Sequence, residues 1–113
     1  MQIKTRQVND VLVFDMEGRL DHQTAGDTNE AMTRIINDSN NKMILLNLKD
    51  LEYVSSAGLS VILLAAKLIN SSRGRIKICE ANGVVKEVME MAGFNKLLPM
   101  YEREQEGIAA FAT

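Results

Sequence analysis

The chain opens on two short runs, residues 3–8 and 11–17, in which apolar and β-branched positions interleave with polar ones as in half-buried strands. Asn9 and Asp10 between them suit a two-residue hairpin turn, so the two runs are expected to pair antiparallel. Gly18 closes the second run, and residues 19–23 form a polar loop. The apolar period then changes. Ala31, Met32, Ile35 and Ile36 recur at helical spacing and predict a helix over 25–36. Thr24 and Asp27 stand in the arrangement of a capping box at its start, and residues 37–41 supply its stop.

Residues 43–48, MILLNL, are almost continuously apolar, as expected of a central strand covered on both faces. A loop over 49–55 leads to a second helix, 57–70, with Leu59, Ile62, Leu63, Ala66 and Ile69 on one stripe. Val61, Leu64 and Leu68 lie opposite, so this helix is apolar nearly all round. Neighbouring helices are expected to cover Leu64 and Leu68, leaving Ser60 and Val61 as contact-surface candidates. After a break at 71–74, Ile76 and Ile78 alternate with basic residues and predict a strand over 75–79. Asn82 then offers an N-cap, residues 83–92 a third helix, and Gly93 its C-terminal glycine. A short edge strand within 97–101, where Pro99 is tolerated, and a helix over 104–112 complete the chain. Strands alternating with helices after an opening hairpin describe an α/β domain: a mixed, largely parallel sheet with about four packed helices and right-handed crossovers.

At 113 residues, with no repeat, linker or low-complexity tract, one domain over 1–113 is expected. Hydrophobic residues at 46% and charged residues at 25% support a packed core. The formal charge of -2 and the scattered basic residues argue against nucleic acid as a partner. The lone Cys79 and the start MQIKTRQ, which lacks the apolar region of a secretory signal, point to a cytoplasmic protein. The longest apolar run, 59–66, is interrupted by Ser60 and is far shorter than a membrane span, so no direct membrane insertion is expected.

The candidate chemistry centres on Leu51, Glu52, Tyr53, Val54, Ser55, Ser56, Ala57, Gly58 and Leu59. This segment joins the end of the central strand's loop to a helix, and in open α/β sheets ligands and partners meet the carboxyl ends of parallel strands. Two readings of its serines stand: helix N-caps, or hydroxyls displayed where a helix N-terminus tolerates a phosphoryl group. Gly58 likewise admits either the close approach of another backbone or tight packing within the domain.

The phrase YVSSAGLSVILLAAK resembles the signature loop and helix of bacterial anti-sigma factor antagonists, which are STAS domains. Gly18, Arg19, Leu20 and Asp21 resemble the same family's loop after the second strand. Residues 82–94 and 96–101 resemble its third helix and closing strand. The resemblance implies a non-enzymatic STAS domain that binds a serine kinase acting as anti-sigma factor. It also implies release by phosphorylation at Ser56 and restoration by a PP2C-type phosphatase. Ser55 replaces the family's usual acid and Ala57 the usual Ser or Thr, which leaves Ser55 as a second phosphorylation candidate. Asp21, Ser55, Ser56, Gly58, Ser60 and Val61 are the expected partner-binding residues. An alternative within the family is a STAS subunit of a membrane lipid-transport complex.

An enzyme reading, with His22 as base and Ser56 as nucleophile, is weak because SSAG is not the G-x-S-x-G elbow. One Cys and one His give no metal-ligand cluster, and no phosphate-binding loop of the Walker type is present. Neither a metal nor a cofactor is expected.

Overall fold

The structure, a computed structural model, describes residues 1–112. Two strands, β1 (Gln2–Val8) and β2 (Val11–Leu20), pair antiparallel. Helix α1 (Ala25–Asp38) leads to β3 (Met43–Asn47), β4 (Leu51–Val54) and α2 (Ser56–Ser71). Then come β5 (Arg75–Cys79), α3 (Gly83–Met91), a one-turn α4 (Phe94–Leu97), β6 (Met100–Tyr101) and α5 (Glu104–Ala110). The sheet runs β1-β2-β3-β5-β6, with β3 in the middle, and every pairing except β1 with β2 is parallel.

Three expectations need correction. The segment before α2, read as loop, contains strand β4. Gly18 does not end β2 but marks an irregularity within it. With φ at +100°, Gly18 shifts the register so that β2 pairs β3 through its first half and β4 through its last residues. Finally, Thr24 precedes α1 but makes no capping bond, so the capping box is absent.

The alternation of β2 decides where the core sits. Phe14 and Met16 face a layer shared with Ile44, Leu46, Ile76 and Ile78 and covered by α1, α2 and α3. Val11 and Val13 face the other side, where Leu45, Cys79 and Phe111 form a smaller cluster packed with Ile108 of α5. Each large side chain fully buried in these layers contributes about 1.5–3 kcal/mol, which makes the helix-covered face the main stabilising element. Its consequence for function is positional: the β2 and β4 carboxyl ends are held side by side, with Leu20 in register with Val54.

Candidate functional site

The site is assembled by that register. Ser55 follows β4 and Asp21 follows β2, so the paired strand ends deliver both to one edge of the sheet. The Ser55 amide donates to the Leu20 carbonyl at 3.0 Å and ties the two connections together.

Ser55 and Ser56 have different chemistry although they are adjacent. Ser55 is the N-cap of α2, with extended backbone, and its hydroxyl accepts from the Gly58 amide at 3.3 Å. Ser56 is the first helical residue, exposed, and its hydroxyl makes no hydrogen bond among the described residues. The Ser56 carbonyl accepts from the hydroxyl of Ser60, which is also exposed, at 3.1 Å. With Ser55 capping only Gly58, the amides of Ser56 and Ala57 stay open at the positive end of a 16-residue helix.

Asp21 organises the neighbouring loop. Its Oδ1 accepts from the amides of Gln23 (3.0 Å) and Thr24 (3.2 Å), and its Oδ2 lies 3.7 Å from Arg19 Nε. Desolvation raises the pKa of this carboxyl, but the two amides, then Arg19 and His22, outweigh it and hold the group below the usual carboxylate range. Thr24, assigned to a helix cap by its sequence context, instead closes the turn: its hydroxyl accepts from the Asp21 amide at 3.0 Å and donates to the Arg19 carbonyl at 2.9 Å. The Arg19 guanidinium stacks 4.4 Å above the Tyr53 ring centroid, across the β2 and β4 register.

Two of the expected contact residues point inward. Val61 is 4% exposed and belongs to the core, because α1 packs on α2 and widens the buried arc beyond the stripe read from the sequence. Gly58 is buried, and a Cβ there would lie 2.5 Å from the Leu20 carbonyl oxygen and 2.9 Å from Val54 Cγ2. Its missing side chain therefore serves packing between this domain's own elements. Conversely, Leu64, expected to be covered, is 49% exposed. It falls eight residues after Ser56 and four after Ser60 on one helical line, a spacing that the sequence alone contained. Ser56, Ser60 and Leu64 thus form one exposed stripe on α2, beside the Asp21 turn.

No hydrogen bond links His22 to Asp21 or Ser56 among the described residues, and Asp21 is committed to its own turn. Within the same residues no three of His, Cys, Asp and Glu gather as metal ligands. No described helix is long and apolar enough to cross a membrane.

Comparison with known proteins agrees with this architecture. The STAS domain family matches residues 2–107. The anti-sigma F factor antagonist of Paenibacillus polymyxa is 35% identical over 104 residues, spanning 92% of this chain and 89% of that protein. A crystal structure of an anti-sigma factor antagonist from Mycobacterium paratuberculosis has a TM-score of 0.88 at 18% identity, over 99% of this chain and 94% of that one. The Bacillus cell fate determinant SpoIIAA in its phosphorylated form has a TM-score of 0.72 at 19% identity, over 97% and 99%. At such identities the structural likeness shows the fold, while the family match covers nearly the whole sequence. On the strength of that match and of the 35% identical relative, the chain belongs to the STAS domain family.

Proposed function

We propose that this chain is an anti-sigma factor antagonist that binds a serine kinase acting as anti-sigma factor and is released when Ser56 is phosphorylated. The observation that carries the reading is the division of labour between adjacent serines: Ser55 is consumed as a cap, and Ser56 presents a free, exposed hydroxyl. The name of the Paenibacillus polymyxa relative and the phosphorylated form of SpoIIAA support it.

The chemistry is a phosphoryl transfer. The Ser56 oxygen bonds to the γ-phosphorus of ATP, the bond to the ADP oxygen breaks, and the hydroxyl proton passes to a base of the kinase. A PP2C-type phosphatase hydrolyses the ester and restores the serine. The new group carries about -1.5 to -2 charges. Beside the open amides of Ser56 and Ala57 that charge is tolerated by the fold. Its cost falls on a partner packed against the stripe of Ser56, Ser60 and Leu64, where it would be desolvated without a matching cation. Asp21 and Ser55 complete the same edge, whereas Gly58 and Val61 support it from beneath.

Incubation with the cognate serine kinase and ATP, followed by mapping of the modified residue by mass spectrometry, tests the assignment. Phosphate on Ser56, removable by a PP2C-type phosphatase, is the expected result. Phosphate confined to Ser55 or Ser60 overturns it.

A further inference from the structure

We infer that Asn82, in the connection between β5 and α3, is a self-modifying site, converted to aspartate and isoaspartate through attack by the amide nitrogen of Gly83. The two residues form the one Asn-Gly pair of the chain. Gly83 has no Cβ to crowd a closing ring, and nothing lies within 4 Å of where one would sit. In the reaction the Gly83 nitrogen bonds to Asn82 Cγ, the Cγ–Nδ2 bond breaks, and ammonia leaves with the amide proton. Water then opens the cyclic imide at either carbonyl. Opening at one gives aspartate and at the other isoaspartate; one water is consumed for each ammonia released.

The structure leaves both reacting groups available. Asn82 and Gly83 are exposed, and the Gly83 amide, the first of α3, makes no hydrogen bond among the described residues. Asn82 stands at the N-cap position, yet its side chain caps no amide of the helix. Its Nδ2 donates instead to the carbonyls of Glu80 at 3.2 Å and Lys49 at 3.3 Å, both at the long end of the range. The backbone of Asn82 is extended, with ψ at 166°, so the ring closes by rotation about that bond. Among the described residues these two long bonds are what holds the side chain against it. Elsewhere the nucleophile is engaged. After Asn29, Asn37 and Asn70 the next amide lies inside α1 or α2, and after Asn47 and Asn95 it donates to the carbonyls of Cys79 and Gly93.

The products change what seats α3. In either one the donor to Glu80 and Lys49 is gone, and in the aspartate a carboxylate oxygen faces two carbonyl oxygens. Isoaspartate also lengthens the main chain by a methylene just ahead of α3, whose Val85 and Met89 are buried in the helix-covered core. A packed interior does not absorb such a shift freely. Because α3 packs on β4, the strand that leads into Ser55, the modification loosens the support beneath the serine-bearing edge.

The test incubates the full chain, native and urea-unfolded, in mildly alkaline buffer and follows by peptide mass spectrometry the mass gain of an amide exchanged for an acid. Asn82 should be the first site modified in the native chain. Its native rate should stay within about tenfold of its unfolded rate, because a factor of ten is about 1.4 kcal/mol and two long, exposed hydrogen bonds at the weak end of their range supply less. Gly83→Ala should slow the reaction at least about tenfold in urea, where the strain of alanine at φ +53° plays no part. The isoaspartyl form, separated by ion exchange, should melt at least about 3 °C below the unmodified chain. A different first site in the native chain, a native rate more than tenfold below the unfolded one, or an unslowed Gly83→Ala overturns the proposal. An isoaspartyl form that melts with the parent overturns the loosening of α3.

Discussion

The amide of Ser55 donates to the carbonyl of Leu20 at 3.0 Å, and this bond sets the start of α2 against the turn that carries Asp21. Gly58 packs on the same carbonyl oxygen, leaving 2.5 Å for a Cβ and 2.8 Å to Leu20 Cγ. Gly58→Ala must therefore push α2 away from β2. The expected loss is about 1–3 kcal/mol, the usual cost of overpacking, measured by urea denaturation. A loss below about 0.5 kcal/mol would contradict the packing role assigned to Gly58.

The two serines should separate by stability. Ser55→Ala removes the N-cap of α2 and should cost about 1 kcal/mol. Ser56→Ala removes an exposed hydroxyl with no partner and should stay within about 0.5 kcal/mol of the parent. Equal losses at both positions would show that the capping bond does not distinguish them.

Where the sequence was readable and where it was not follows from the range of the interactions. The hairpin, the three main helices and β3 depend on local period and turn chemistry, and all are present near their expected bounds. β4 was hidden because its four residues have the burial order buried, exposed, half-buried, buried, with no alternation of period two. Its strand character comes from pairing with the far end of β2, a contact made after the chain crosses α1 and β3. Around the site, Ser55, Ser56 and Asp21 could be named from sequence. The exchange of Val61 and Leu64 could not, because a helix apolar on most sides does not reveal where its neighbour packs. Thr24 was misread for a similar reason: a capping pattern gives the residue types, while the competing acceptor at Arg19 belongs to the end of another element.

A pH effect should arise on the other face of the sheet. Glu104 begins α5 and accepts from the Arg6 guanidinium and, at 2.9 Å, from Asn47. The bond from Arg6 lowers its pKa most, desolvation opposes this, and Asn47 adds to the lowering. Arg6, shared with Asp15, is displaced upward by the same contacts. Because the folded value of Glu104 lies below its ordinary 4.5, its contribution is complete above that pH and is lost as pH falls through the folded value. Urea denaturation between about pH 7 and pH 3 should show a steeper acid loss in the parent than in Glu104→Gln. Parallel curves would contradict the anchoring of α5 by this carboxylate.

The Cys79 thiol should be inert in the native state. Burial, then Glu104, Glu80 and Asp15, push it up to about 12, and a Cβ at Gly107 would lie 3.6 Å from its own Cβ, so α5 covers it. Reaction with an aromatic disulfide reagent near pH 8 should proceed only through opening of the structure, far more slowly than in denaturant. Rapid labelling of the folded chain would show that α5 does not seal that face.

The central claim is that charge at Ser56 breaks an interface without breaking the fold, and calorimetry of one protein in two states tests it most directly. The unmodified chain and the chain stoichiometrically phosphorylated on Ser56 are titrated into the cognate serine kinase, and both are melted in parallel. Affinity should fall at least about a hundredfold, the scale of a buried uncompensated charge, while the two melting temperatures stay within a few degrees. Undiminished binding by the phosphorylated chain, with both forms folded, would contradict the account.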